Sequence, residues 1–501
     1  MPINTKFQTM TIDSEKNLTP KQIVVQCNMD TSSKGGVKSV CFLTTDVLIT
    51  KAQALTKQIK ASGQVNIKVM YFDGENKPES FDYISDFVED IVDEGVVDLM
   101  PVRVSGYVVD NDYEIEDDHI KIQVVIELQP VVIESREINW IVEADNVLVQ
   151  TTDLEIQKFL GFVNEQTEVA HEYDSGVNVD KILYFDNQAT IENVSESDKI
   201  LRAIGNVNSV IVYQSGDEIC QKHLNIPFEH EWRVEDGDMV LCPICNVKAS
   251  KLIIQGDENA NVLRCEVLVD IGGSMFVQSK QEIVSDLFCP SQLVELSKEE
   301  LEYNIIKESC QSISQVVGNT IIDMSKEDIK QIQAIVPLYA SVAGVVCKQE
   351  NCQVDGLVVV GVVYVDEKQN SQCLKVDLPF SSMIECDIKD TTMITSSVSV
   401  LDVASKVKRD REVEITVDIC IRLCLREDVK ENGIVSVELG EDRVAPSSAI
   451  TIYITHKGES LWDIAKMLGM SEKEILKQNP TVEKILQGGE KLVIYREKNM
   501  C

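Results

Sequence analysis

Three stretches of the chain, GQVNIKVMYFDGENK, GNVNSVIVYQSGDEI and GLVVVGVVYVDEKQN, share one plan. Each has a glycine, an alternating apolar run, a tyrosine (Tyr71, Tyr213 or Tyr364) and a polar turn. Alternation at period two marks a half-buried strand, and an Asp/Gly/Asn-rich end marks a turn. The match continues downstream. Phe87, Phe228 and Phe380 follow the tyrosines by 16, 15 and 16 residues. Val124, Val267 and Val417 follow the phenylalanines by 37, 39 and 37 residues, each inside a long alternating segment such as VLRCEVLVDIGGSMF or EVEITVDICIRLCL. Chance does not hold three landmarks in register three times. The pattern predicts a mainly β chain in which one domain of roughly 140–150 residues recurs. Expected boundaries are 1–150, 151–295 and 296–440.

Two segments break the strand pattern and predict short helices. One is TTDLEIQKFLGF, near residue 151. The other is LSKEELEYNIIKESC, where Ser297 and Glu300 have capping-box spacing. ELGEDRVAPSS, at 438–448, reads as a linker because Pro446 and two serines interrupt it.

Charge narrows the partners. Lys plus Arg number 47 against 83 Asp plus Glu, a net charge of −36 in 501 residues. Such a field repels phosphate backbones and anionic lipid heads, so neither nucleic acid nor a membrane surface is expected as a partner. The opening MPINTKFQTMTIDSEKNLTPK has no apolar run of signal-peptide type, and no stretch approaches the length needed to span a bilayer. The expectation is a protein of the cytosol without membrane insertion. The 15 cysteines fit that compartment as reduced thiols. Many, such as Cys265 and Cys420, sit in strand runs where cysteine acts as a small hydrophobe.

The sequence holds no HExxH, no GxSxG and no P-loop. Its single CxxC, Cys242 and Cys245 in CPIC, lies in a strand-like run, and His223 and His230 do not complete a common zinc spacing. No catalytic residue, metal or cofactor is therefore expected.

One region differs. IYITHKGESLWDIAKMLGMSEKEILKQNPTVEKILQGGEKLVIY, residues 452–495, reads as strand, helix, helix, strand. Gly458 permits a tight turn, and Ser460 with Asp463 caps the first helix. Leu461, Ile464, Ala465 and Leu468 share one face, and Gly469 ends that helix. Ser471 with Glu474 caps the second, which Asn479 and Pro480 close.

This tail, taken as 450–496, resembles a LysM domain of βααβ fold. The resemblance implies a shallow groove between two loops, here Lys457, Gly458, Glu459, Ser460 and Leu461, and Asn479, Pro480, Thr481 and Val482. Trp462 is read in two ways, as a core residue or as an anchor for a protein partner. LysM domains usually bind N-acetylglucosamine polymers such as peptidoglycan. The repeats, on IQAIVPLYASVAGVV, QVDGLVVVGVVYV and LPF, resemble the SPOCS domain of anaerobic spore-forming bacteria. Tandem SPOCS-like domains with one C-terminal LysM resemble spore-coat morphogenesis proteins of clostridial type. That resemblance implies a non-enzymatic scaffold in the mother-cell cytoplasm at the forespore surface. Its LysM would bind a coat ATPase of the stage IV sporulation protein A type. The alternative is peptidoglycan binding in spore cortex or wall.

Overall fold

The computed structural model describes residues 3–495 except 234–237, 256–260, 323–325, 349, 388–391, 444–449 and 483–485. Strands dominate it. The first set comprises β1 (Asn4–Asn17), β2 (Lys21–Asp30), β3 (Ser39–Leu55), β4 (Gln58–Phe72), β5 (Pro78–Val92), β6 (Val102–Glu116) and β7 (His119–Asp145). The second comprises β8 (Leu148–Asp174), β9 (Lys181–Ser197), β10 (Ile200–Ser215), β11 (Glu218–Arg233), β12 (Asp238–Gln255) and β13 (Val262–Phe288). The third comprises β14 (Gln292–Ile321), β15 (Ile329–Lys348), β16 (Asn351–Asp366), β17 (Ser371–Glu385), β18 (Thr392–Arg409) and β19 (Glu412–Asp442).

One connectivity serves all three sets. The final long strand is the centre of one sheet, flanked by the first strand and the penultimate one: β12-β13-β8 and β14-β19-β18. In the first set the opening strand is split, so β1, β2 and β6 all pair with β7. The intervening strands form an antiparallel meander: β3-β4-β5, β11-β10-β9 and β15-β16-β17. The inner faces of each pair of sheets share a core. Tyr71 and Val124, Tyr213 and Val267, and Tyr364 and Val417 fall in three separate buried clusters, one per set.

The repeated glycine and phenylalanine have a shared structural reason. Gly63 pairs directly with Phe87, Gly205 with Phe228 and Gly356 with Phe380. A Cβ on any of the three would stand 2.7 Å or less from the tip of that ring. It would also stand 2.3–2.5 Å from a carbonyl oxygen of the strand on the other side, that of Leu48, Thr190 or Ser341. The ring lies over the bare backbone, so only glycine fits.

The three sets also share cores with each other. Phe42, Met70 and Phe72 meet Tyr184, Val210 and Val212 and also Val336, Val359 and Val363, and Met70, Val212 and Val363 each stand one residue before the repeated tyrosine. The long-strand sheets contribute a second shared cluster, with Ile12 and Trp140, Leu154 and Ile283, and Leu301 and Ile305. Polar ties cross these boundaries. Lys68 Nζ donates to Asp186 Oδ1 at 2.6 Å, and Arg426 Nη2 lies 3.0 Å from Glu15 Oε1. Gln157 both accepts from Ile306 N–H and donates to its carbonyl, at 2.9 and 2.7 Å.

Three sequence expectations need correction. TTDLEIQKFLGF lies within β8 and LSKEELEYNIIKESC within β14, so neither is a helix and Ser297 caps nothing. Both strands pair along their full length with the central strand of their sheet. Leu301, Tyr303 and Ile305 are buried at alternate positions, the period of a strand. Glu, Leu and Lys favour helix only weakly, and pairing overrides that preference. The third correction concerns thiols. Cys347 and Cys352, directly opposite across β15 and β16, form a disulfide. Strand breaks fall at residues 146–147 and 289–291. The expected linker is strand through Asp442, and its residues 444–448 lie outside the described ones.

Candidate functional site

The last unit is built from β20 (Ile450–Ile454), α1 (Leu461–Leu468), α2 (Glu472–Gln478) and β21 (Lys491–Tyr495), with β20 antiparallel to β21. Its helices start where the side chains dictate. Ser460 Oγ accepts from Asp463 N–H while the Asp463 carboxylate accepts from Ser460 N–H, and Ser471 with Glu474 repeats the arrangement. Gly469 ends α1 at φ 65°, the left-handed region open to glycine. Leu461, Ile464, Ala465, Ile475, Leu492 and Ile494 close a small core.

Two loops carry the residues expected to line a groove. In the first, Lys457, Gly458 and Ser460 are exposed. Glu459 fixes the turn, accepting from the Tyr453 hydroxyl and, at 2.9 Å, from His456 N–H. Those bonds hold the Glu459 carboxyl below its ordinary value. Leu461 turns inward and is 3% exposed. In the second loop, Pro480 and Thr481 are exposed and Val482 packs partly on the core. Asn479 is buried. Its amide donates to the carbonyls of Ile475 and Val493 at 2.9 and 3.0 Å, and its Oδ1 accepts from Val493 N–H at 2.7 Å. It ties the end of α2 to β21 and presents no free polar group to a ligand. Of the residues expected to line the groove, Lys457, Gly458, Ser460, Pro480 and Thr481 are therefore exposed and Glu459 and Val482 half-buried.

Trp462 faces the body of the protein. It is 7% exposed and meets the Phe288 ring edge-on, with centroids 5.1 Å apart. Its indole N–H donates to Asp286 Oδ2 at 3.0 Å, and Lys466, one turn on, donates to the same carboxylate at 2.8 Å. Burial resists ionisation of Asp286, but the bonds from Lys466 and Trp462 outweigh it and hold the carboxyl below its ordinary value. Arg443 completes the joint, donating to the Lys466 carbonyl at 2.5 Å and lying over the Phe288 ring. Trp462 thus lies at a joint between the LysM unit and the body. The i, i+4 spacing of Trp462 and Lys466 was visible in the sequence, but nothing there singled out Asp286 among 83 acidic residues.

Residues 453–494 match the LysM domain family. No curated protein and no solved structure matches the chain. The match covers the unit just described, and a LysM domain suggests carbohydrate or peptidoglycan binding.

Elsewhere, His223 and His230 stand apart. His223 Nδ1 is 3.5 Å from Asp402, and His230 lies between Thr167 and Glu165. Among the described residues no three His, Cys, Asp or Glu side chains form a metal-binding group. No described helix is long and apolar enough to cross a membrane.

Proposed function

We propose that the chain is a non-enzymatic scaffold in spore-coat assembly. In this reading three copies of one SPOCS-like domain form the body and the LysM unit is the recognition element. Its partner is a coat morphogenetic ATPase of the stage IV sporulation protein A type, met in the mother-cell cytoplasm at the forespore surface. The observation that carries the reading is one recognition module of a binding family fixed to a body of three like-connected sheet pairs. The interiors of those pairs are filled by apolar side chains, while Lys457, Gly458, Ser460, Pro480 and Thr481 of the LysM loops are exposed.

A second reading is favoured by the LysM match itself: the same loops bind an N-acetylglucosamine polymer. One experiment separates them. Full-length protein is incubated with the purified ATPase and, separately, sedimented with purified peptidoglycan. Saturable capture of the ATPase with no sedimentation supports the scaffold reading. Saturable sedimentation without capture supports the glycan reading, and neither result would remove the LysM unit as the recognition element.

A further inference from the structure

Cys242 on β12 and Cys424 on β19 are 182 residues apart in sequence, yet their Sγ atoms are 2.9 Å apart. A disulfide places sulfurs at about 2.05 Å, so an approach of under roughly 1 Å separates this pair from a bond. The contact lies where strands of all three sets meet, in a cluster with Ile133, Phe276 and Ile306. Two guanidinium groups and one carboxylate stand beside it. Glu15 is 1% exposed and pairs with Arg426 at 3.0 Å and with Arg103 at 3.3 Å. The hydrogen bond from Cys424 favours the Cys242 thiolate, burial opposes it, and Arg426 favours it again, so Cys242 is held below the ordinary thiol value. Cys424 is pushed up by its bond to Cys242 and by burial. The two thiols are thus differentiated, Cys242 held below and Cys424 above the ordinary thiol value.

We propose that Cys242 and Cys424 are an oxidative cross-linking site that staples the second strand set to the third. The site is independent of the LysM reading. Hydrogen peroxide is a sufficient oxidant. The Cys242 thiolate attacks one peroxide oxygen, the O–O bond breaks, and the leaving hydroxide takes up a proton to become water. Cys242 is then a sulfenic acid. Cys424 sulfur attacks the sulfenyl sulfur, the S–O bond breaks, and the hydroxyl leaves with the Cys424 proton as a second water. Two thiols lose two electrons and two protons in total, and one peroxide becomes two waters. The strands carrying both residues are already in place, so the bond needs only side-chain adjustment.

The test uses full-length protein, reduced, freed of reductant, treated with hydrogen peroxide and then alkylated. Trypsin separates Cys424 in fragment 423–426 from Cys420 in fragment 412–422, and places Cys242 with Cys245 in fragment 234–248. Expected is a linked 234–248/423–426 species, assigned to Cys242 by fragmentation and removed by dithiothreitol. A faster-migrating monomer on a non-reducing gel should accompany it, since the bond closes a long loop. Cys242→Ser and Cys424→Ser each abolish both signals, while Cys245→Ser and Cys420→Ser keep them. Recovery of 423–426 in alkylated form after peroxide overturns the proposal, as does a link through Cys245. If a serine variant fails to fold, the mapping of the unsubstituted protein decides.

Discussion

The strands of residues 4–442 and the unit of residues 450–495 bury their apolar faces in different ways. Each of the three strand sets fills its own interior, but each also gives the outer face of its meander to a cluster that no set completes alone. Phe42, Tyr184 and Val336 lie together because three separate sheets turn apolar faces toward one another. The LysM unit instead closes a core almost wholly from its own residues and meets the body at Trp462, Lys466 and Gly469. Shared cores couple distant parts of a chain into one cooperative block, whereas a self-contained unit with a small joint can open by itself. The difference assigns structural continuity to the body and leaves the tail free to change its contacts.

The largest effect should come from the shared cluster. Val212→Asp puts an unpaired charge where three sheets meet, and several kcal/mol should be lost. Followed by hydrogen exchange, peptides from all three strand sets should lose protection together. Loss confined to residues 148–288 would show that the sets are independent beads.

Next is Ile464→Ala, which truncates a fully buried side chain of the LysM core and should cost about 2–5 kcal/mol. Exchange should rise across 450–495 while the unfolding midpoint of the body stays fixed. A parallel drop in the body would mean that the two regions fold as one.

Smaller still is Asp286→Ala. It removes the acceptor of the Trp462 indole and should weaken the joint by about 1–3 kcal/mol. Limited proteolysis should then cut between 443 and 450, with both regions still folded. Acid should mimic it. The Asp286 carboxyl is held below its ordinary 3.8 in the docked state, so the undocked form binds more protons as pH falls. Docking is fully favoured above that value and is lost as pH drops through the lower docked one. Proteolysis of the joint should be flat from neutral pH to about 5 and rise only in stronger acid.

What could be read in the sequence depended on how local its cause was. The helix starts at Ser460 and Ser471 and the stop at Gly469 were legible because a cap is decided by residues three apart. The glycine, tyrosine and phenylalanine of each repeat were legible as a pattern. Their reason, a ring lying over bare backbone on the neighbouring strand, needed the pairing of Gly63 with Phe87 to be seen. The segments beginning at 151 and 296 misled because their Glu, Leu and Lys content favours helix locally. The pairing with β13 and β19 that fixes them is formed with residues more than 90 positions away. The Cys347–Cys352 bond and the Cys242–Cys424 contact were hidden among 15 cysteines whose spacing carries no pairing information. In the groove, exposure could not be told from burial: Asn479 sits in a loop motif yet spends its side chain on the backbone of β21.

The proposed recognition role of the LysM loops is tested most directly by Lys457→Glu combined with Thr481→Glu in the full-length protein. Both side chains are exposed and outside the apolar cluster, so circular dichroism and the unfolding midpoint should not change. Affinity for the purified coat ATPase proposed as partner is then measured by titration. Expected is a loss of about 2 kcal/mol or more, roughly 30-fold in Kd. Unchanged affinity in a folded double variant would contradict the assignment and move recognition to the strand sets of the body.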